Sequence, residues 1–274
     1  MPTFVEKLER AAQANRSLLC VGLDPDPALL PMDDVATFNR DIVAATSDLV
    51  CAYKPNLAFY EALGPRGLEA LRETLQVVPP HIPVIGDAKR GDIPNTARFY
   101  ARALFEVWGF DAATVNPLLG EDAVVPFLEH RERGVLLLCR TSNPGAHDLL
   151  EAPVAGDEGQ VPLYERLAAL ARRWDRYGNV GLVVGATAPR ELARVRALCP
   201  DAPILVPGVG AQAGDLEAAV SCGTDARGRR AIINASRSVL YASRGPDYAE
   251  AARRAAQGLR ERINALLAAE GKGW

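Results

Sequence analysis

Eight short apolar segments recur along the 274-residue chain, and a segment with a helical pattern of apolar residues follows each of them. The apolar segments are LLCVGL at 18–23, DLVCAYK at 48–54, PVIGDAK at 83–89, AATVN at 112–116, GVLLLCR at 134–140, GLVVGA at 181–186, APILVPG at 202–208 and AIINAS at 231–236. The helical segments fall at 34–46, 60–77, 93–107, 121–131, 162–176, 189–198, 213–221 and 247–269. This alternation is typical of βα units with parallel strands. Eight such units in a chain of this length predict a TIM barrel, the (β/α)8 fold.

An open doubly wound sheet is the alternative, and the count of eight units makes it the weaker one. The segment GVGAQAG at 208–214 resembles a dinucleotide-binding loop, but its spacing is G-x-G-x-x-x-G and it follows the seventh strand. A nicotinamide site is therefore not favoured. We expect one domain over residues 1–274, with a short N-terminal helix and a long loop at about 143–162. That loop is rich in Gly, Pro and acidic residues, and either a mobile lid or a solvated insertion fits it.

Composition excludes several classes of partner. The net charge is −3, and no run of like charges suggests a nucleic-acid or membrane surface. The polar N-terminus lacks the apolar core of a signal peptide, and no uninterrupted apolar stretch approaches about 18 residues, so we expect a cytoplasmic protein. The five cysteines show no CxxC spacing and the three histidines share no short spacing. We therefore expect no metal site and a small-molecule partner.

The basic residues are strongly biased to arginine. Of 31 basic residues only four are lysine, namely Lys7, Lys54, Lys89 and Lys272. Lys54 and Lys89 each end an apolar strand-like segment, in CAYKPN and GDAKRGD. Arginine serves any simple ion pair but does not readily release a proton, whereas lysine does. Lysine at these two strand ends therefore hints at proton chemistry.

The segment DAKRGD at 87–92 places several charges at the end of a buried strand, where charge is costly. Residues two apart on a strand share a face, so Asp87 and Lys89 should point to the same side, with Asp92 beyond the strand. Two carboxylates beside an ammonium group favour its protonated form, which would supply a positioned proton donor. A network that only ties strand ends together is the alternative. The position at the C-terminal rim of a barrel, where active sites lie, favours chemistry.

Other polar residues follow the remaining strands and complete a polar rim. They are Asp24, Asn56, Asn116, Arg140, Thr141, Ser142, Thr187, Gln212, Ser236 and Arg237. The small residues of VPGVGAQ could let backbone N–H groups approach an anion, and Arg237 follows the eighth strand, where such barrels often hold a phosphate. The rim therefore indicates a phosphorylated ligand.

Taken in order, the segments VGLDPDP, AYKPNLAFYE, IGDAKRGDI, TVNPLLG, CRTSNPG, VVGAT, VPGVGAQ and NASR resemble the orotidine 5′-phosphate decarboxylase family, in particular its longer bacterial (type 2) group. DAKRGDI is the most specific of them. The resemblance implies decarboxylation of orotidine 5′-phosphate to uridine 5′-phosphate and carbon dioxide, the last step of de novo pyrimidine nucleotide synthesis. It also implies catalysis without a cofactor and a homodimer.

The resemblance further implies roles for individual residues. Lys89 would protonate the pyrimidine carbon as carbon dioxide leaves, Asp87 would lie near the substrate carboxylate, and Lys54 would join the charge network and touch the ribose. Asp92 and Thr96 would act in the partner subunit's site. The substrate-binding residues would be Asp24 at a ribose hydroxyl, Ser142 at the pyrimidine edge, Gln212 at the base and phosphate, and Arg237 at the phosphate. Asn56, Asn116 and Thr187 receive no role.

Two other functions remain open from the charge motif alone. Related barrels that share D-x-K-x-x-D are sugar-phosphate decarboxylases or aldolases that use a magnesium ion and an enediolate. The second alternative is a catalytically silent barrel that binds a nucleotide as a sensor or scaffold. Such a protein would lack a catalytic acid or base, whereas Asp87, Lys89 and Asp92 are all present here. Ser142 and Gln212, which could read a pyrimidine, favour the nucleotide substrate.

Overall fold

The apolar segments of the sequence form the strands of a closed barrel in the computed structural model, which describes residues 2–157, 159–209 and 215–274. The strands are β1 Leu19–Gly22, β2 Ala52–Lys54, β3 Ile85–Arg90, β4 Ala112–Val115, β5 Gly134–Arg140, β6 Pro153–Gly156, β7 Gly159–Pro162, β8 Val180–Val184, β9 Ile204–Val206 and β10 Ala231–Ala235. Eight of them pair in parallel in the order β2-β1-β10-β9-β8-β5-β4-β3. Parallel bridges from Tyr53 to Val84 and from Asn56 to Asp87 join β2 to β3. The predicted (β/α)8 barrel is confirmed.

Most of the helices surround the barrel and present an apolar face to the outward side chains of the strands. The helices are α1 Phe4–Asn15, α2 Val35–Thr46, α3 Leu57–Ala62, α4 Gly64–Val77, α5 Pro94–Arg102, α6 Glu121–Leu128, α7 His147–Leu150, α8 Leu163–Trp174, α9 Pro189–Leu198, α10 Leu216–Gly223, α11 Arg237–Leu240 and α12 Tyr248–Ala269. A π-helical turn, Ala103–Val107, extends α5. In the described part of the chain, no helix has both the length and the apolar character to cross a bilayer.

Helix α1 plugs the N-terminal end of the barrel. Its start is fixed by a capping box, in which the Thr3 hydroxyl accepts from the Glu6 N–H and the Glu6 carboxylate accepts from the Thr3 N–H. Phe4 and Leu8 pack with the inward side chains of the strands in one buried apolar cluster. A Cβ atom at Gly134 would lie 2.3 Å from the Phe4 ring, so the glycine at this position allows Phe4 of α1 to pack against β5. Because α1 fills the N-terminal end of the barrel with apolar side chains, a polar site can form only at the C-terminal end.

The helix predicted at 60–77 is two helices that start at Leu57. The Asn56 side chain accepts from the Ala58 N–H at 3.1 Å and caps α3. Gly64 then adopts φ of +63°, and Pro65 lies in the first turn of α4, so the chain changes direction between the two helices.

The segment 143–162 contains regular structure that its composition did not reveal. Besides α7 it forms a hairpin in which β6 and β7 pair antiparallel, with Val154 opposite Val161. The Arg140 side chain pairs with Glu151 at 2.7 Å. Asp157 pairs with Arg166 on α8 at 2.6 Å. Ion pairs therefore tie this segment to β5 and α8.

Candidate active site

A cavity of about 600 Å³ opens at the C-terminal ends of the barrel strands. The floor of the cavity has a charged side and an apolar side. Lys54 and Asp87 give one side charge, while Leu138, Val183 and Leu205 make the other side apolar. Such a cavity can hold a charged reacting group against apolar surface while its rim binds polar parts of a ligand.

Asp87 is the centre of a hydrogen-bonded charge network. Its carboxylate accepts from Lys54 Nζ at 3.0 Å, from Lys89 Nζ at 2.5 Å and from the Thr114 hydroxyl at 2.9 Å. Lys54 is 3% exposed and Asp87 8%, whereas the Lys89 side chain is 48% exposed. Lys89 is therefore the more accessible of the two ammonium groups.

Opposite charges keep the buried members of this network ionised. Burial by itself raises the pKa of Asp87, but the Lys54 and Lys89 ammonium groups outweigh it and hold that pKa well below its usual range. Burial likewise lowers the pKa of Lys54, and the Asp24 and Asp87 carboxylates outweigh it, so the net shift is upward. A carboxylate and an ammonium group therefore face each other at the cavity floor throughout the neutral pH range.

The backbone at Lys89 is left-handed, with φ of +50°. For a residue with a Cβ atom this conformation costs roughly 1–2 kcal/mol. The Lys89 N–H donates to the Thr114 hydroxyl at 2.9 Å, and the β3–β4 register shifts between Gly86 and Arg90. Thr114 thus contacts both Asp87 and Lys89, and it holds the strained turn that points the lysine at the aspartate.

Asp24 lies beside this network on the loop after β1. Its carboxylate accepts from the Asn56 N–H at 3.1 Å and lies 4.0 Å from Lys54 Nζ. The Tyr241 hydroxyl donates to the Asp24 carbonyl at 2.8 Å and accepts from the Asp26 N–H at 2.7 Å. Burial raises the pKa of Tyr241 to about 12, so it remains a neutral hydroxyl that clamps the loop.

Ser142, at the end of β5, lies directly over the next barrel strand. The Thr187 hydroxyl donates to the Ser142 carbonyl at 3.1 Å. A Cβ atom at Gly185 would lie 2.7 Å from the Ser142 Cα and 2.9 Å from its nitrogen. The absence of a side chain at 185 therefore sets how closely Ser142 approaches the cavity.

Gly185→Ala should displace the Ser142 backbone, because the added methyl group meets backbone atoms that no rotamer change can move. We expect a destabilisation of about 1–3 kcal/mol and a raised KM, measured by thermal unfolding and steady-state kinetics. Gly258→Ala is the matched control. It lies within α12 with open space around its Cα, and it should leave KM unchanged and slightly raise stability. An unchanged KM in Gly185→Ala would contradict this reading of Ser142.

The cavity brings together six of the nine residues to which the family resemblance gave a role: Asp24, Lys54, Asp87, Lys89, Ser142 and Arg237. Three further rim residues, Asn56, Thr141 and Ser236, also line it. Asp92 and Thr96 are not among its lining residues. The Asp92 carboxylate accepts from the neighbouring Ile93 N–H at 2.7 Å, and Ile93 is 60% exposed. Gln212 lies outside the described residues.

The sequence interpretation missed Thr114, Tyr241 and Asn234. Thr114 sits inside AATVN, two residues before Asn116, so strand alternation places both on one face. Asn234 is a polar residue within the apolar segment AIINAS, which is itself a signal. Tyr241 has no local signal, because its contact with Asp24 spans 217 residues.

Within the described ranges, no group of three or more His, Cys, Asp or Glu side chains could hold a metal ion. Two of the carboxylates that line the cavity, those of Asp24 and Asp87, both face the Lys54 ammonium group. The donor set there is therefore suited to cationic side chains.

Comparisons with known proteins agree over nearly the whole chain. The profile of the "Orotidine 5'-phosphate decarboxylase / HUMPS family" matches residues 17–255. The orotidine 5′-phosphate decarboxylase of Thermomicrobium roseum is 54% identical over 271 residues, which cover 96% of each chain.

Solved structures agree with this match. Leishmania donovani OMP decarboxylase superimposes with a TM-score of 0.85 at 42% identity, covering 96% of this chain and 98% of that one. Leishmania donovani UMP synthase superimposes with a TM-score of 0.87 at 42% identity; 97% of this chain is covered, but just 57% of that longer one. The predicted family and its enzyme class, a carboxy-lyase, are confirmed. The chain belongs to the orotidine 5′-phosphate decarboxylase / HUMPS family.

Proposed function

We propose that this enzyme converts orotidine 5′-phosphate to uridine 5′-phosphate and carbon dioxide, the last step of de novo pyrimidine nucleotide synthesis, without metal or cofactor. The observation that carries the proposal is the Lys54–Asp87–Lys89 network at the floor of the cavity. It supplies a fixed negative charge and an accessible ammonium group side by side. These are the two charges that a direct decarboxylation requires.

The chemical difficulty is the electron pair left on C6 of the pyrimidine, a ring carbon with no electron sink. As the bond from C6 to the carboxylate breaks, the pair stays on C6 and carbon dioxide departs. The Lys89 ammonium group attracts the developing charge and then transfers its proton from Nζ to C6. Asp87 disfavours the starting carboxylate, so the network binds the transition state in preference to the substrate.

The remaining cavity residues bind the rest of the nucleotide. Arg237, the first residue of α11, holds the phosphate, and Asp24 with Lys54 holds the ribose. Ser142 reads the pyrimidine edge from the opposite side of the cavity. We further propose that Gln212 contacts both the base and the phosphate. The role of Gln212 rests on the family motif alone.

The proposal includes a homodimer in which Asp92 and Thr96 enter the partner's site. Two observations support it. Neither residue lines the cavity of its own chain. The surface next to them carries exposed apolar side chains, with Ile93 60%, Phe99 65%, Leu118 52% and Leu119 47% exposed. Large exposed apolar side chains in the segments after two neighbouring strands, β3 and β4, are typical of an interface.

Turnover in the presence of a chelator tests the chemistry against the magnesium-dependent alternative. The loss of orotidine 5′-phosphate absorbance in excess EDTA should proceed at the same rate as in added magnesium, because charged side chains alone stabilise the carbanion. A rate that falls in EDTA and returns with magnesium would favour the enediolate chemistry. No turnover under either condition would refute the proposed reaction.

A further inference from the structure

Asn234 presents an unsatisfied carboxamide to the active-site cavity. It lies on β10, lines the cavity and is 6% exposed. Its Oδ1 has no hydrogen-bond partner in the part of the chain that the structure describes. A buried polar group in this state costs about 1–3 kcal/mol. The oxygen itself is fully buried, so a ligand in the cavity can remove that cost when the carboxamide turns toward it.

Two other buried asparagines also have an Oδ1 atom without a partner among the described residues, so the difference lies in the contacts of Nδ2. Asn39 Nδ2 donates to the Tyr60 and Thr74 hydroxyls at 2.9 and 3.0 Å. Asn179 Nδ2 donates to the carbonyls of Leu128 and Arg133 at 3.2 and 3.0 Å. Asn234 Nδ2 instead makes one long contact, 3.4 Å to the Ser236 hydroxyl. The other two carboxamides are each fixed by two hydrogen bonds, whereas the Asn234 carboxamide can turn at the loss of one weak contact.

The position of Asn234 identifies which part of the ligand it meets. It shares β10 with the segment that leads to Arg237, and β10 pairs with β1, which leads to Asp24. A Cβ atom at Gly22 would lie 1.9 Å from Ser236 Oγ and 3.1 Å from Asp24 Oδ2. Asp24 and Ser236 therefore both lie next to Gly22, and Ser236 is the residue that Asn234 contacts. In the proposed nucleotide pose Asn234 therefore lies at the sugar, between the phosphate and ribose contacts, and three strands away from β5 and Ser142.

We propose that the Asn234 carboxamide turns toward the bound nucleotide, so that its oxygen accepts a hydrogen bond from a ribose hydroxyl and helps the enzyme select a ribonucleotide. The inference rests on the proposed function, since it takes the nucleotide pose from it. A hydroxyl suits the site because it donates to Asn234 and still accepts from the Lys54 ammonium group, whose hydrogen bond to Asp87 leaves other N–H groups available.

The test compares binding of uridine 5′-phosphate with that of its 2′-deoxy and 3′-deoxy counterparts, by calorimetry, to the wild type and to Asn234→Leu. Leucine has nearly the same size and lacks the acceptor. For uridine 5′-phosphate, Asn234→Leu should weaken binding by about 3- to 10-fold. For one of the deoxy nucleotides the same substitution should change Kd less than twofold, because the hydroxyl is already gone.

Thermal unfolding separates this role from a structural one. Replacing an unpaired buried carboxamide by an apolar side chain should leave Tm equal or raise it. The control, Asn179→Ala, should lower Tm and leave all three Kd values unchanged, because it breaks two hydrogen bonds far from the cavity lining.

Three results are distinguishable. If the wild type does not bind uridine 5′-phosphate, the proposed function itself fails. If the wild type binds it and Asn234→Leu binds it equally well, the carboxamide makes no contact with the nucleotide and the inference is overturned. Equal weakening for the ribonucleotide and both deoxy nucleotides would also overturn it, since the contact would then not involve a ribose hydroxyl.

Discussion

Lys89→Ala should lower kcat for decarboxylation by at least about 10⁴-fold, because it removes both the proton donor and the charge that stabilises the carbanion. The fold should survive. The Lys89 side chain is half exposed, and Asp87 keeps Lys54 at 3.0 Å and the Thr114 hydroxyl at 2.9 Å. Single-turnover kinetics, circular dichroism and uridine 5′-phosphate binding measure the three properties separately.

Two further variants sharpen this experiment. Lys89→Arg should be nearly as inactive as Lys89→Ala, since arginine keeps the charge but not the transferable proton. Lys272→Ala is the control, because Lys272 forms an exposed pair with Glu270 at 2.9 Å near the C-terminus and should not affect turnover. Near-normal turnover in Lys89→Ala would refute the proposed mechanism.

The barrel was predictable because its strands are buried on both faces. Such strands read as continuous apolar runs, and GVLLLCR at 134–140 coincides with β5 in full. The β6–β7 hairpin lacks this signal. Its residues are exposed or half-buried, so its sequence matches that of a solvated loop. The break at Gly64 was missed because the apolar periodicity runs through it.

The site was predictable where strand alternation and position decide it. Asp87 and Lys89 converge as expected, and the cavity lies at the expected end of the barrel. The left-handed backbone of Lys89 was not predictable, since a lysine gives no indication of φ near +50°. It depends on a hydrogen bond from Lys89 to Thr114, 25 residues away, and such long-range contacts leave no local pattern.

The placement of Asp92 leads to the second large effect. Since Asp92 does not line the cavity of its own chain and adjoins exposed Ile93 and Phe99, we expect it to complete the partner's site. Asp92→Asn alone should lower activity by about 100-fold or more, and Lys89→Ala alone should be nearly inactive. In a dimer of one subunit of each kind, the site that holds the intact Lys89 also receives the intact Asp92. Random mixing makes half the dimers mixed with one good site each, so activity should return to about a quarter of the wild-type value.

The matched control mixes Lys89→Ala with Asp87→Asn. Asp87 and Lys89 are in contact within one chain, so no mixed dimer of these two variants contains an intact site, and no activity should return. Differently tagged subunits and native mass spectrometry establish that mixed dimers have formed. Recovery in the control would show exchange of some other element between subunits. The absence of recovery with Asp92→Asn, in confirmed mixed dimers, would place Asp92 in the site of its own chain, and a monomeric enzyme would refute the shared site altogether.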